Sequence, residues 1–233
     1  MRRRHRSSEL LDTGSAGAGQ PAKTVVLLIS GRGSNLEAIL QAQLPCRIAA
    51  VISNRADAGG LDIAREHGIP AIVIEHGKFP SRSAFDEALI MEIEANRPDL
   101  VVLAGFMRIL TPEFVEHYRG RLINIHPSLL PSYSGLDTHQ RALNDGVKIH
   151  GCTVHYVTSD LDHGPIIIQA AVPVLKDDTP AALAARVLHE EHRIYPQAIS
   201  WICSGRVALG GDGKVNFRLL EQPAPPLISP GLD

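Results

Sequence analysis

The stretch Thr24–Ser30, TVVLLIS, runs without a charge and without alternation of apolar and polar residues. A continuous β-branched and aliphatic run of this kind marks a strand buried on both faces, and such strands occur inside parallel sheets covered by helices. The pattern recurs at Ile48–Ser53, Ala71–Ile74, Leu100–Leu103 and Leu122–His126. Helical patterns separate these runs. Leu36, Ile39 and Leu40 share one face; Ala58–Gly68 closes on a glycine followed by Pro70; Ser83–Asn96 carries Ala84, Ala88, Met91 and Ala95 on an apolar stripe; and Thr111-Pro112 supplies an N-cap and first helical residue. The alternation predicts an α/β, Rossmann-like fold: a mostly parallel twisted sheet with helices on both faces.

After Pro131 the rhythm changes. Gly135–Asn144 reads as helical, and Gly151–Val157 and Ile166–Val174 as strands. The connection between those strands is too short for a helical crossover, so they should pair antiparallel. Thr179-Pro180 opens a long helix reaching Cys203, and Val207–Leu209 with Val215–Leu219 forms a terminal hairpin. One catalytic domain, residues 23–220, is expected. It would be flanked by a disordered basic extension at 1–22 and a loose Pro-rich tail at 221–233.

A net charge of −2 gives no general attraction to nucleic acid or to anionic membranes, so an anionic ligand needs a local site. The 3 cysteines lack CxxC spacing, which argues against a disulfide framework or structural zinc and for a reducing, cytoplasmic setting. His150 and Cys152 share a strand face but His155 points the other way, so the three make a poor metal site and no metal is assigned.

Two places carry candidate chemistry. In LINIHPSLLP, residues 122–131, Asn124 and His126 lie two apart and so project from one strand face. Pro127 ends the strand and leaves an amide and an imidazole at its carboxyl end, where open α/β sheets bind ligands. From this stretch alone a purely structural histidine reads equally well. The second place is Gly31–Asn35, GRGSN, between the first strand and a helix. Its glycines and the helix N-terminus suit a phosphate, although an ordinary tight turn has the same look. Leu36 stands where a dinucleotide fingerprint has its third glycine, and GK[ST] is missing, so NAD binding and nucleotide hydrolysis are disfavoured. Among loop acids, Asp162 before Gly164-Pro165 is a partner for an imidazole, and Asp160 is as simple a candidate.

The motifs VVLLISGRGSNL, ISNRADAGGL, PDLVVLAGFMRIL, INIHPSLLP, GCTVHYV and LDHGPII occur in the order of the folate-dependent formyltransferase family. The chain resembles that family in its phosphoribosylglycinamide formyltransferase branch over residues 24–206. The resemblance implies transfer of a formyl group from 10-formyltetrahydrofolate to the amine of glycinamide ribonucleotide (GAR). It implies Asn124, His126 and Asp162 as the catalytic trio, with Gly33, Ser34, Asn35 and Glu191 contacting the ribonucleotide. Arg82, Met107, Arg108, Ile109, Leu110 and Asn124 would line the folate site. His163 stands where the family usually has a second glycine, and Asp137 where it has a histidine.

The trio suits the reaction on its own terms. Attack of an amine on a formyl carbon builds negative charge on oxygen, which an amide N–H and an imidazolium can receive. The partners implied are small molecules, GAR and the folate, with neither nucleic acid nor membrane, and a monomer or homodimer. The alternatives are hydrolysis of the same folate and formylation of methionyl-tRNA. Families doing either carry a further domain that the stretches 1–22 and 204–233 are too short to supply. A phosphate-binding module without catalysis would leave the amide, imidazole and acid unexplained.

Overall fold

The computed structural model describes residues 22–218, 227, 229 and 230. The expected extension and tail fall almost wholly outside that range, as does Leu219. Strands β1 (Lys23–Ile29), β2 (Cys46–Ser53), β3 (Ala71–Val73), β4 (Leu100–Leu103) and β5 (Leu122–His126) pair in parallel. Strands β6 (Ile149–Tyr156) and β7 (Ile166–Pro173) continue the sheet antiparallel, giving a seven-stranded order β3-β2-β1-β4-β5-β6-β7. The helices are α1 (Ser34–Gln41), α2 (Gly60–Glu66), α3 (Arg82–Ala95), α4 (Pro112–His117), α5 (Thr138–Asn144) and α6 (Pro180–Cys203). A separate hairpin joins β8 (Val207–Leu209) to β9 (Val215–Phe217).

The sheet is covered on both faces, which is why its central strands do not alternate. Val25, Leu27 and Ile29 pack with Leu36 and Ile39 of α1 and with Leu183, Val187, Tyr195 and Ile199 of α6. Val26 and Leu28 pack on the other face with Phe85, Leu89 and Ile93 of α3 and with Phe114 and Tyr118. Each such aliphatic residue contributes at most about 1.5–3 kcal/mol by leaving water. The Tyr195 hydroxyl is shared between the carbonyls of Leu103 (3.0 Å) and Ile123 (3.3 Å), locking α6 across β4 and β5.

The helix starts follow the local chemistry. Ser81, Thr111 and Thr179 accept from the backbone N–H groups of Ala84, Phe114 and Ala182, and Pro112 and Pro180 occupy the first turn, where no N–H is needed.

Some expectations need correction. The helix expected over Gly135–Asn144 begins only at Thr138, because Gly135 (φ 78°) and Asp137 (φ 56°) take left-handed backbone. The helix expected over Ala58–Gly68 is confined to Gly60–Glu66. The stripe on α3 is also different: Phe85, Leu89 and Ile93 are its buried line, whereas Met91 is 76% exposed. The larger side chains at i, i+4 and i+8 remove more apolar area from water than the alanines do, and they set the helix rotation.

Replacing Leu89 with Ala should cost about 2–5 kcal/mol in urea unfolding. Met91→Ala should stay within about 0.5 kcal/mol. A larger loss for Met91→Ala than for Leu89→Ala would overturn this orientation of α3.

Candidate active site

Strand β5 is bonded to a parallel neighbour on one side and an antiparallel one on the other: Asn124 pairs with Leu103 of β4 and with His155 of β6, and His126 with Thr153. Strand residues directly opposite one another share a face, so Asn124, His126, Thr153 and His155 line one side of the sheet at its carboxyl edge. His126 is buried, at 6% exposure, and Asn124 is half-buried.

The imidazole is held from two directions. Its Nε2 lies 2.9 Å from the Tyr133 carbonyl oxygen, so Nε2 carries a proton and donates it there. Its Nδ1 lies 3.5 Å from Asp162 Oδ2, an ion-pair distance rather than a short hydrogen bond. Asp162 Oδ2 also accepts from the Gly135 backbone N–H at 2.8 Å. Both ring nitrogens therefore face acceptors. To reach His126, the loop after β6 folds back along β5. Gly164 permits this, since a Cβ there would strike the Tyr156 carbonyl oxygen. Tyr133 (φ 57°) and Asp162 (φ 55°) sit in the left-handed region, uncommon for non-glycine residues. Such backbone persists only where surrounding contacts over-determine it, and it clusters at functional sites. Of the two departures from the family pattern, Asp137 takes the left-handed N-cap of α5, a conformation in which Asp is enriched. His163 is exposed, with Nδ1 2.7 Å from the Leu161 carbonyl oxygen.

A second pair stands nearby. Asn35 Nδ2, in the first turn of α1, donates to Glu191 Oε2 of α6 at 2.8 Å, and both side chains are buried. Burial pushes the Glu191 carboxyl up, against the smaller opposing effects of the Asn35 hydrogen bond and the charge of His126. Asn35 Oδ1 is buried with no partner among the described residues, leaving an acceptor open. Gly33 has its own structural reason. It adopts φ 87°, and a Cβ there would lie 2.7 Å from Gly60 Cα, so α1 and α2 meet at paired glycines. Gly31 has open space around its Cα.

The ends of β1, β2 and β4 are tied together by Ser30, which polarity at the end of an apolar run could have flagged. Its hydroxyl donates to Asn54 Oδ1 (2.6 Å) and accepts from the Met107 N–H (2.8 Å). That tether brings residues 107–110 beside the site. Arg108 lies over the Phe85 ring, 5.3 Å from its centroid, and the Thr111 N–H donates to Asp86 Oδ2 at 2.7 Å. The loop thus packs on the first turns of α3, where Arg82 is exposed. Met107 (76%) and Ile109 (60%) present apolar side chains to solvent at this edge.

His139 and His150 pack edge-on, with ring centroids 5.3 Å apart, and Tyr133 also meets His150 edge-on at 5.7 Å. Burial, and then the nearby His139, push His150 down to about 4. Burial likewise lowers His139 and His155. No group of three or more His, Cys, Asp or Glu residues that could hold a metal ion occurs among the described residues. Depressions of about 310 Å³ lie elsewhere, beside Leu40 and Cys46 and beside Gln43 and His192, and neither is lined by His126, Asp162, Asn124, Asn35 or Glu191. Here it is the convergence of polar groups at the strand ends that marks the site.

Residues 23–199 match the family described as Formyl transferase. The phosphoribosylglycinamide formyltransferase of Escherichia coli (strain K12) is 53% identical over 189 residues, covering 79% of this chain and 89% of that protein. The human trifunctional purine biosynthetic protein adenosine-3 is 48% identical over 195 residues, 82% of this chain but 19% of that longer protein. Among solved structures, the phosphoribosylglycinamide formyltransferase of Coxiella burnetii in complex with CHES superposes with a TM-score of 0.81 at 50% identity, covering 84% of this chain and 94% of that one.

A buried histidine held neutral binds protons less readily folded than unfolded. The stability it contributes is therefore present above about pH 6.5 and lost as pH falls toward 4. The shift at His150 corresponds to a loss on the order of 3 kcal/mol by pH 4. Thermal unfolding of the wild type should show this fall, and His150→Phe should flatten it. An unchanged acid limb in His150→Phe would rule His150 out as its source.

Proposed function

The chain belongs to the formyl transferase family, and from that premise we propose that it transfers the formyl group of 10-formyltetrahydrofolate to the amine of N1-(5-phospho-D-ribosyl)glycinamide. The products are formyl-GAR and tetrahydrofolate, a step in the synthesis of the purine IMP. The observation that carries this reading is the meeting of two pairs at one sheet edge: His126 with Asp162, and Asn35 with Glu191. An imidazole with a facing acid and a buried carboxyl with an open amide acceptor are the groups needed at the two ends of an acyl transfer to an amine.

Each residue has a role in this reading. Backbone N–H groups at Gly33, Ser34 and Asn35 receive the ribonucleotide phosphate at the head of α1. Glu191 and Asn35 hold the amine end. Burial has raised the Glu191 carboxyl, so it can take up a proton as the amine nitrogen forms its bond to the formyl carbon. The Asn124 amide and His126 Nε2–H donate to the oxygen on which charge develops. Nε2 donates to the neutral Tyr133 carbonyl, and an oxyanion is a stronger acceptor able to displace it. Asp162 faces the far nitrogen, orients the ring and opposes its charge. His126 then passes a proton toward the departing folate nitrogen, directly or through water. Arg82 and Met107–Leu110 line the folate, with the exposed Met107 and Ile109 side chains as apolar walls. The scheme contains no covalent enzyme intermediate and no metal step. Both substrates are small molecules, and we place the reaction in the cytoplasm.

Purified protein should release tetrahydrofolate from 10-formyltetrahydrofolate only when GAR is supplied. Folate turnover independent of the amine would contradict the transferase reading. His126→Ala and Asp162→Ala should each lower kcat by about 10²–10⁴-fold. Near-normal turnover in His126→Ala would remove the imidazole from the mechanism.

A further inference from the structure

The Tyr133 carbonyl that His126 Nε2 addresses belongs to the turn following β5, and this turn is held by a buried polar relay. Thr153 of β6, fully buried and directly opposite His126 in the sheet, is its centre. Its hydroxyl donates to the Ser128 carbonyl (2.7 Å) and accepts from the Leu130 N–H (3.0 Å) and from Gln169 Nε2 (2.9 Å). One donor and two acceptor positions are the whole hydrogen-bonding capacity of a hydroxyl, and all three are used. Gln169, on the outer strand β7, sends the same Nε2 to the Leu130 carbonyl at 2.9 Å. Within the turn, Ser128 Oγ donates to the Ser132 carbonyl at 2.6 Å. Residues 128, 130 and 132 are thereby anchored on the strand beside His126, and the next residue presents its carbonyl to the imidazole.

We infer that Thr153 and Gln169 are positioning residues for His126. Their relay holds the turn at 128–132 so that the Tyr133 carbonyl sets both the orientation of the ring and the nitrogen that carries its proton. Neither residue need touch a substrate for this. Tyr133 keeps a left-handed backbone that an unanchored loop would abandon, so the strain at φ 57° is maintained by the relay. A displacement of the carbonyl by about 1 Å is enough to lose the hydrogen bond and the ring orientation, and misplacement on that scale costs about 10²-fold in rate. The inference rests on His126 being the acid proposed above.

The test uses Thr153→Val, which keeps the branched shape and removes the hydroxyl, Thr153→Ser, which restores the hydroxyl, and Gln169→Leu on the exposed edge. Kinetics are combined with 15N NMR of histidine-labelled full-length protein, which reports the His126 ring without any turnover. Thr153→Val should lose about 10–100-fold in kcat with KM for both substrates within about threefold. Thr153→Ser should recover most of that rate, and Gln169→Leu should show a smaller loss of the same kind. The His126 Nε2–H signal should broaden or shift in Thr153→Val and return in Thr153→Ser. An unchanged His126 signal in both Thr153→Val and Gln169→Leu overturns the inference, as does a loss in Thr153→Val that Thr153→Ser fails to rescue. A wild type without GAR-dependent turnover but with the NMR response intact would overturn the proposed reaction and leave the relay standing.

Discussion

Strand β5 lies where the sheet changes direction, hydrogen-bonded to parallel β4 on one side and to antiparallel β6 on the other. The rest of the site depends on that change. The parallel half brings the ends of β1, β2 and β4 to one edge, where Ser30 ties them together. The antiparallel half lets β6 run back alongside His126. Thr153 then sits opposite the imidazole, and the following loop returns Asp162 to it. In an all-parallel continuation, the strand beside β5 would enter from the other end of the sheet, so the chain leaving His126 would have to cross the whole sheet before pairing there.

The second constraint is α6. It crosses β4 and β5 through the Tyr195 hydroxyl, fills one face of the core with Leu183, Val187 and Ile199, and carries Glu191 on the same helix. The carboxyl is buried because the helix is anchored, and burial raises its proton affinity while the Asn35 amide holds its geometry. Packing and chemistry are thus coupled in one helix: what fastens α6 to the sheet also sets the electrostatic character of the group proposed to meet the amine.

Much of this was legible in the sequence because it rests on local rules. Two-faced burial shows as unalternating runs, and β4 and β5 were readable to the residue, with Pro127 ending the latter. The caps at Thr111 and Thr179 follow from side-chain chemistry at helix starts. Asn124 and His126 were legible as a same-face pair, while their tie to Asp162 came from resemblance rather than from spacing. What stayed hidden depends on distant partners. The Asn35–Glu191 bond joins residues 156 positions apart. The left-handed backbone at Tyr133 and Asp162 is imposed by contacts and has no glycine to announce it. Gly33 looked like a ligand-facing glycine, yet its closest demand comes from Gly60. On α3, counting apolar positions without weighing their size favoured the alanine line over Phe85, Leu89 and Ile93.

In the proposed reaction Asn124 and His126 receive the charge that develops on the formyl oxygen, with Asp162 behind the imidazole. A crystal structure with GAR and a folate analogue that forms a stable tetrahedral adduct in place of the formyl group tests it most directly. The adduct oxygen should lie within hydrogen-bond distance of both Asn124 Nδ2 and His126 Nε2, with the Tyr133 carbonyl displaced from Nε2 and Asp162 still facing Nδ1. An adduct oxygen that meets neither side chain, with His126 still bonded to Tyr133, would contradict it.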